Sequence, residues 1–195
     1  AISQASVVRD GLVIDYVGAV DIVKKLKAKV ENQLGVTLTT AAGAVPPGTI
    51  GGNKKVIQNV LESAMLDVTN IIDEPTAASS VLNIKEGAVV DVGGGTTGIS
   101  ILKNGEVIYT ADEPTGGMHM TLALAGYLGV SFEEAEKIKK DKTREDEVFA
   151  IIQPVVEKMA SISKRHVEDF HIDTIYVVGG SSSFTRFTQV LETHT

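Results

Sequence analysis

A chain of 195 residues, 43% hydrophobic and 22% charged, is long enough to bury a core as one domain or two small ones, which excludes a disordered segment. With 18 basic against 25 acidic residues the net charge is -7, which argues against nucleic acid or an anionic membrane as a partner, although a few backbone amides can still hold a phosphate. Cysteine is absent, so disulfides, thiolate metal sites and thiol nucleophiles drop out; no apolar run spans a bilayer, Ala1-Ile2-Ser3-Gln4 lacks the basic head of a signal peptide, and an intracellular setting is the simplest expectation.

Asp10-Gly11 between Val7-Val8-Arg9 and Leu12-Val13-Ile14 predicts a hairpin. Ala19, Val23, Leu26 and Val30 recur at helical spacing and Gly35 suits the cap, so a helix is expected from 19 to 34. Residues 37–45 read as a strand stopped by Pro46-Pro47-Gly48. Asn53 is the expected cap of a helix whose core face is Val56, Ile57, Val60, Leu61 and Ala64, and residues 68–72 form the next strand.

A strand at 88–92 is expected to break at Gly93-Gly94-Gly95-Thr96-Thr97-Gly98 and resume at Ile99, with Asn104-Gly105 turning a second hairpin into residues 107–109. Helices follow: 118–128, one capped by Ser131 with Glu134, and one started by Thr143 with Asp146 that runs to about Phe170, kinked or restarted at Pro154. Ile175 to Val178 reads as a buried strand ending in Gly179-Gly180-Ser181-Ser182-Ser183, before a helix from about Phe184. The pattern is α/β in two halves, residues 1–86 and 87–195, dividing near Asn83 to Gly87.

Chemistry concentrates at the glycine turns. Three glycines after a strand let consecutive amides converge on an anion, Thr96 and Thr97 add hydroxyls, and Asp91 could hold a water on an accompanying divalent ion; the alternative is a ligand-free hairpin turn. The turn at Gly179, Gly180 and Ser181 is either a second anion-facing element or an ordinary loop, and neither turn fits a P-loop or a dinucleotide fingerprint. Glu74, in the first of two Asp-Glu-Pro-Thr repeats, lies where a strand meets a helix, or is simply a solvated carboxylate. The histidines show no metal spacing, and the charged run 133–147 reads as a solvated helical surface.

Glu74-Pro75-Thr76-Ala77-Ala78, then Asp91-Val92-Gly93-Gly94-Gly95-Thr96-Thr97, then Val178-Gly179-Gly180-Ser181-Ser182 resembles the actin-like ATPase superfamily of the seventy-kilodalton heat-shock chaperones, actin, MreB and FtsA. The resemblance implies a ribonuclease H-like fold with two halves around a nucleotide cleft. It implies ATP or ADP with magnesium, Asp91 touching the metal through water, Glu74 organising metal and water, and Gly93, Gly94, Gly95 and Thr96 on the phosphates. Gly179, Gly180 and Ser181 would border the adenosine. Glu136 and Lys139, in an Ala-Glu-x-x-Lys pattern, would touch ribose or base. Ser183 stands where the chaperones carry an adenine-stacking arginine.

The compactness of the chain, with Val7 to Val13 and Asn59 to Ala64, is similar to chaperone-like members that serve ethanolamine utilization. That implies a cytoplasmic protein associated with a bacterial microcompartment, whose partner is a client protein or enzyme of ethanolamine metabolism on which nucleotide-driven closure of the two halves acts. The alternative within the superfamily is a nucleotide-binding scaffold or filament. The large chaperone insertions and the Asp-x-Gly-Thr hairpin that opens the family are not in this sequence, so either further residues carry that hairpin and the intact protein is expected to be a weak ATPase, or the chain does not hydrolyse ATP efficiently.

Overall fold

A computed structural model describes residues 7–9 and 12–194. The chain divides into two compact units, one ending at Ala77 and the other beginning at Ala78, inside a helix that the sequence reading had placed wholly in the first half.

In the first unit β1 (Val8–Arg9) and β2 (Leu12–Val13) pair antiparallel, Val8 opposite Val13; the Asp10-Gly11 turn lies outside the described residues. Helix α1 (Tyr16–Leu34) starts on the Asp15 carboxylate, which accepts from the Gly18 N–H, and ends at Gly35 with φ 68°, a left-handed cap that glycine adopts without a Cβ penalty. Strands β3 (Thr40–Val45) and β4 (Asp67–Asp73) run parallel, joined through α2 (Gly51–Ser63). Asn53 does not cap α2. The Ile50 carbonyl accepts from the Asn53 and Lys54 N–H groups, so the helix begins two residues before the expected cap. Val60 of α2 is buried against Ala19 and Val20 of α1, and Lys27 of α1 donates to the carbonyl of Met65 just beyond α2.

Helix α3 (Glu74–Leu82) follows β4 directly, with the Asp73 carboxylate accepting from the Thr76 N–H. The second unit is built on a four-stranded sheet in the order β7-β6-β5-β8. Strands β5 (Gly87–Val92), β6 (Thr97–Lys103) and β7 (Glu106–Glu113) form an antiparallel meander, and β8 (Ile175–Val178) pairs parallel to β5. Asn104 and Gly105, at φ 55° and 79°, make the hairpin turn that right-twisted strands prefer. The first glycine turn is therefore shorter than expected, because β6 already begins at Thr97.

Side chains alternate across the pleat. Val90, Val92 and Ile99 face α4 (Gly117–Leu128), α5 (Phe132–Lys140), α6 (Glu145–Val167) and α7 (Phe187–His194), whose Met120, Phe149, Ile152 and Phe187 complete a core with Phe184. Val89 and Leu102 face the other way, against Ile84 and Ala78.

Two further helix starts differ from the sequence reading. The Asp141 carboxylate, not Thr143, accepts from the Thr143 N–H, so a short 3-10 turn at Lys142–Arg144 precedes α6. Pro154 sits inside α6, which continues through it to Val167. The second glycine turn closes as a 3-10 turn at Gly180–Ser182, and α7 waits until Phe187. Strand β8, expected to be buried, is half-buried, with Tyr176 37% exposed, since β5 is its only neighbour among the described residues.

Candidate functional site

Strands β5 and β8 are adjacent and parallel, Asp91 opposite Val178, so the turns that follow them emerge at the same end of the sheet. In open α/β sheets ligands collect outside the carboxyl ends of such strands. The two turns touch. The Ser181 hydroxyl donates to the Gly93 carbonyl at 2.9 Å. Gly179, at φ 92°, packs so closely that a Cβ there would sit 2.5 Å from both the Asp91 Oδ1 and the Val92 carbonyl oxygen. Only glycine meets both the backbone angle and the space.

Gly93 closes its own turn, its N–H donating to the Thr96 carbonyl at 3.0 Å. The carbonyls of Gly93 and Gly94 are taken up by the start of α4, accepting from the N–H groups of Gly117 at 2.9 Å and Met118 at 2.8 Å. Every described peptide is trans, and in a trans peptide the N–H points opposite to the C=O. The N–H groups of Gly94 and Gly95 therefore point away from α4. Gly94 is exposed, and a Cβ built on it would meet nothing within 4 Å. Gly180 is equally open. Two neighbouring donors thus lie on the side of an exposed turn away from α4, a kind of backbone from which amides hold an anion.

Asp91 is half-buried at the base of this turn, and burial pushes its carboxyl pKa up from 3.8. A partly desolvated carboxylate gains from a nearby cation. Thr96 is half-buried beside it, whereas the Thr97 hydroxyl is buried and donates to the Thr115 carbonyl at 2.6 Å, fixing the base of the turn rather than its rim. Among the described residues no group of three His, Asp or Glu side chains could hold a metal directly, so a cation here would rest on Asp91 and water. Glu74 lies in the first unit, at the carboxyl end of β4 where α3 begins.

Glu136 and Lys139 sit on α5 and reach the first turn of α4. The Lys139 ammonium donates to the Gly117 carbonyl at 3.0 Å and to the Thr121 hydroxyl at 2.7 Å, and lies 2.7 Å from Glu136 Oε2. Glu136 also pairs with Lys140 at 2.9 Å. Burial works to raise the Glu136 pKa, but hydrogen bonds from Lys139, Thr121 and Lys140 outweigh it and hold the group at about 2. Glu145, which accepts from the Thr185 N–H and from Lys142, is likewise held at about 2.

The sequence reading missed Thr121, fully buried and at the centre of this network, and Gly116 and Gly117. Side chains on those two glycines would run into the Gly94 carbonyl and the Ser181 hydroxyl. The signal available was the Gly116-Gly117 pair itself. His119 accepts from the Gly116 N–H and caps α4, and His166 bridges Tyr109 and Glu113, so these two histidines are structural.

A carboxylate held below its ordinary pKa of 4.5 stabilises the fold above that value, and the contribution is lost as pH falls toward about 2. Unfolding midpoints measured from about pH 5 down to about pH 2.5 should therefore fall, and fall less steeply in Glu136→Gln than in the parent, with Glu145, Asp141 and Glu147, also held below their ordinary values, contributing to what remains. An equally steep decline in the variant would contradict this.

A family model for the cell division protein FtsA matches residues 88–195, the span that holds both turns. The ethanolamine utilization protein EutJ of Salmonella typhimurium is 47% identical over 177 residues, covering 91% of this chain and 62% of that protein. The crystal structure of EutJ from Carboxydothermus hydrogenoformans matches with a TM-score of 0.91 at 48% identity, over 97% of this chain and 70% of that one. MreB5 of Spiroplasma citri bound to ADP matches with a TM-score of 0.75 at 16% identity, over 93% of this chain and 69% of that one, a likeness of fold alone. The chain spans 62% of the length of the Salmonella relative. On the identity and coverage shared with the Carboxydothermus structure, the chain belongs to the EutJ family of ethanolamine utilization proteins, built on the actin-like ATPase fold it shares with FtsA and MreB.

Proposed function

We propose that this protein binds an adenine nucleotide with magnesium at the paired glycine turns of its second unit and serves ethanolamine utilization as a chaperone-like factor. The observation that carries the reading is the orientation of the first turn: α4 takes the Gly93 and Gly94 carbonyls and leaves the Gly94 and Gly95 N–H groups pointing away from it, on a turn that is exposed at Gly94 and follows a half-buried Asp91.

The residues fit the ligand. Gly94 and Gly95 supply N–H donors to phosphate oxygens with Thr96 beside them, each such charge-assisted bond contributing roughly 1.5 to 3 kcal/mol, whereas the Gly93 N–H is already given to the Thr96 carbonyl. Asp91 would hold magnesium through water; the ion, when bound, supplies positive charge against the phosphates. Gly179, Gly180 and Ser181 border the nucleoside, with Glu136 and Lys139 on the α5 side. The partner is a client protein or an enzyme of ethanolamine metabolism, in the cytoplasm and associated with a microcompartment. No helix of the described residues is long and apolar enough to cross a membrane.

Thermal unfolding of the full-length protein with ATP tests the reading. At a ligand concentration of a hundred times Kd the stabilisation should be about 2.7 kcal/mol, and it should need magnesium. In Asp91→Asn the magnesium-dependent stabilisation should fall sharply. No shift with ATP, with or without magnesium, would remove the proposal.

A further inference from the structure

We infer that Lys139 acts on the phosphate end of the site, through the peptide linking Gly117 and Met118, as a positioning residue that strengthens the Gly95 N–H as an anion donor. The inference rests on the nucleotide reading above and assigns Lys139 a different role within it, since that reading groups Lys139 with the ribose and base.

A single hydroxyl settles how the network is wired. Thr121 Oγ1 lies 2.6 Å from Glu136 Oε2 and 3.1 Å from the Gly117 carbonyl oxygen, and has one proton to give. The short contact to an ionised carboxylate is the stronger bond, so the hydroxyl donates to Glu136 and accepts from Lys139 at 2.7 Å. The cation next to the Gly117 carbonyl is then Lys139, donating at 3.0 Å from a side chain that is only 11% exposed.

That carbonyl and the Met118 N–H belong to one peptide group. The Met118 N–H donates at 2.8 Å to the Gly94 carbonyl, which in turn shares a peptide group with the Gly95 N–H. A cation at one end of such a chain polarises each peptide in sequence, and cooperative strengthening runs at roughly 10 to 30% per bond. The last donor in the series is the amide that faces the open side of the turn. Parallel to this chain, the Gly117 N–H and the Ser181 hydroxyl both hold the Gly93 carbonyl. Glu136 and Thr121 keep Lys139 at its post, since they hold the ammonium on the α4 side of the helix pair.

The discriminating experiment compares ligands in the full-length protein, using magnesium ADP, magnesium pyrophosphate and adenosine. In Lys139→Met the affinities for ADP and pyrophosphate should fall roughly threefold, the size of a charge-assisted bond weakened by a few tenths of its strength, while adenosine is unchanged. Thr121→Val should repeat the pattern more weakly, and Thr121→Ser, which keeps the hydroxyl, should restore it. Without ligand, the Met118 amide proton of Lys139→Met should move upfield in NMR spectra, a readout that holds whether or not nucleotide binds. Equal losses for ADP and adenosine would make Lys139 a nucleoside contact and overturn the inference, as would an unchanged ADP affinity or an unmoved Met118 amide. A parent protein that binds neither ADP nor pyrophosphate would overturn the nucleotide reading itself.

Discussion

Replacing Gly94 by valine should abolish stabilisation by magnesium ATP while leaving the unliganded protein as stable as the parent. The two halves of that result come from one geometric fact. Gly94 is exposed, its φ is not among the positive values, and an added Cβ would meet nothing within 4 Å, so the fold tolerates a side chain there. Surface substitutions of this kind usually change stability by no more than about 0.5 kcal/mol. A branched side chain on the residue whose own N–H is to hold the phosphate crowds the anion off the turn. The parent, at a hundredfold excess over Kd, should gain about 2.7 kcal/mol, or roughly 5 to 10 °C for a domain of this size. The variant should gain none. A valine variant that kept the ATP shift would mean that the anion, if bound, lies elsewhere.

Gly179→Ala should give the opposite pattern, a protein destabilised before any ligand is added. Its φ of 92° lies in the left-handed region, and the new Cβ would fall 2.5 Å from the Val92 carbonyl oxygen and from Asp91 Oδ1. The backbone oxygen at the end of β5 cannot retreat without loosening the strand, so backbone strain and steric displacement combine to about 2 to 4 kcal/mol. Chemical denaturation measures this directly, and Gly180→Ala is the control, because a Cβ on Gly180 meets nothing within 4 Å. Equal stability of the two alanine variants would show that the second turn does not seat against Asp91 as described.

What could be read from the sequence was local in origin. Asn104-Gly105 announces its hairpin because few residues tolerate two successive positive φ values, and Asp91 to Thr96 announces a turn because three glycines after an apolar run have few other uses. Gly35 and Ser131 marked helix ends for the same reason, each supplying a cap that needs no distant partner. What escaped depended on elements far apart in the chain. Thr121 looks like filler on an apolar helix until α5 brings Glu136 and Lys139 against it. Asn53 has the chemistry of a cap, but the Ile50 carbonyl had already started α2. The Thr97 hydroxyl reads as a phosphate donor until Thr115, eighteen residues on, accepts its proton in the folded unit. Strand β8 is apolar enough to pass for a central strand, yet it carries Tyr176 on a half-exposed face.

The central claim is that the first glycine turn presents its amides to a phosphate. Its most direct test is a titration of isotopically labelled full-length protein with magnesium ADP, followed by NMR at the backbone amides. The account predicts the largest downfield movements at Gly94 and Gly95, smaller ones at Gly180 and Ser181, and smaller ones again at the Gly117 and Met118 amides, which feel the phosphate only through the Gly93 and Gly94 carbonyls they already hold. Saturable binding that left Gly94 and Gly95 unmoved, or moved them no more than the α1 amides, would contradict it.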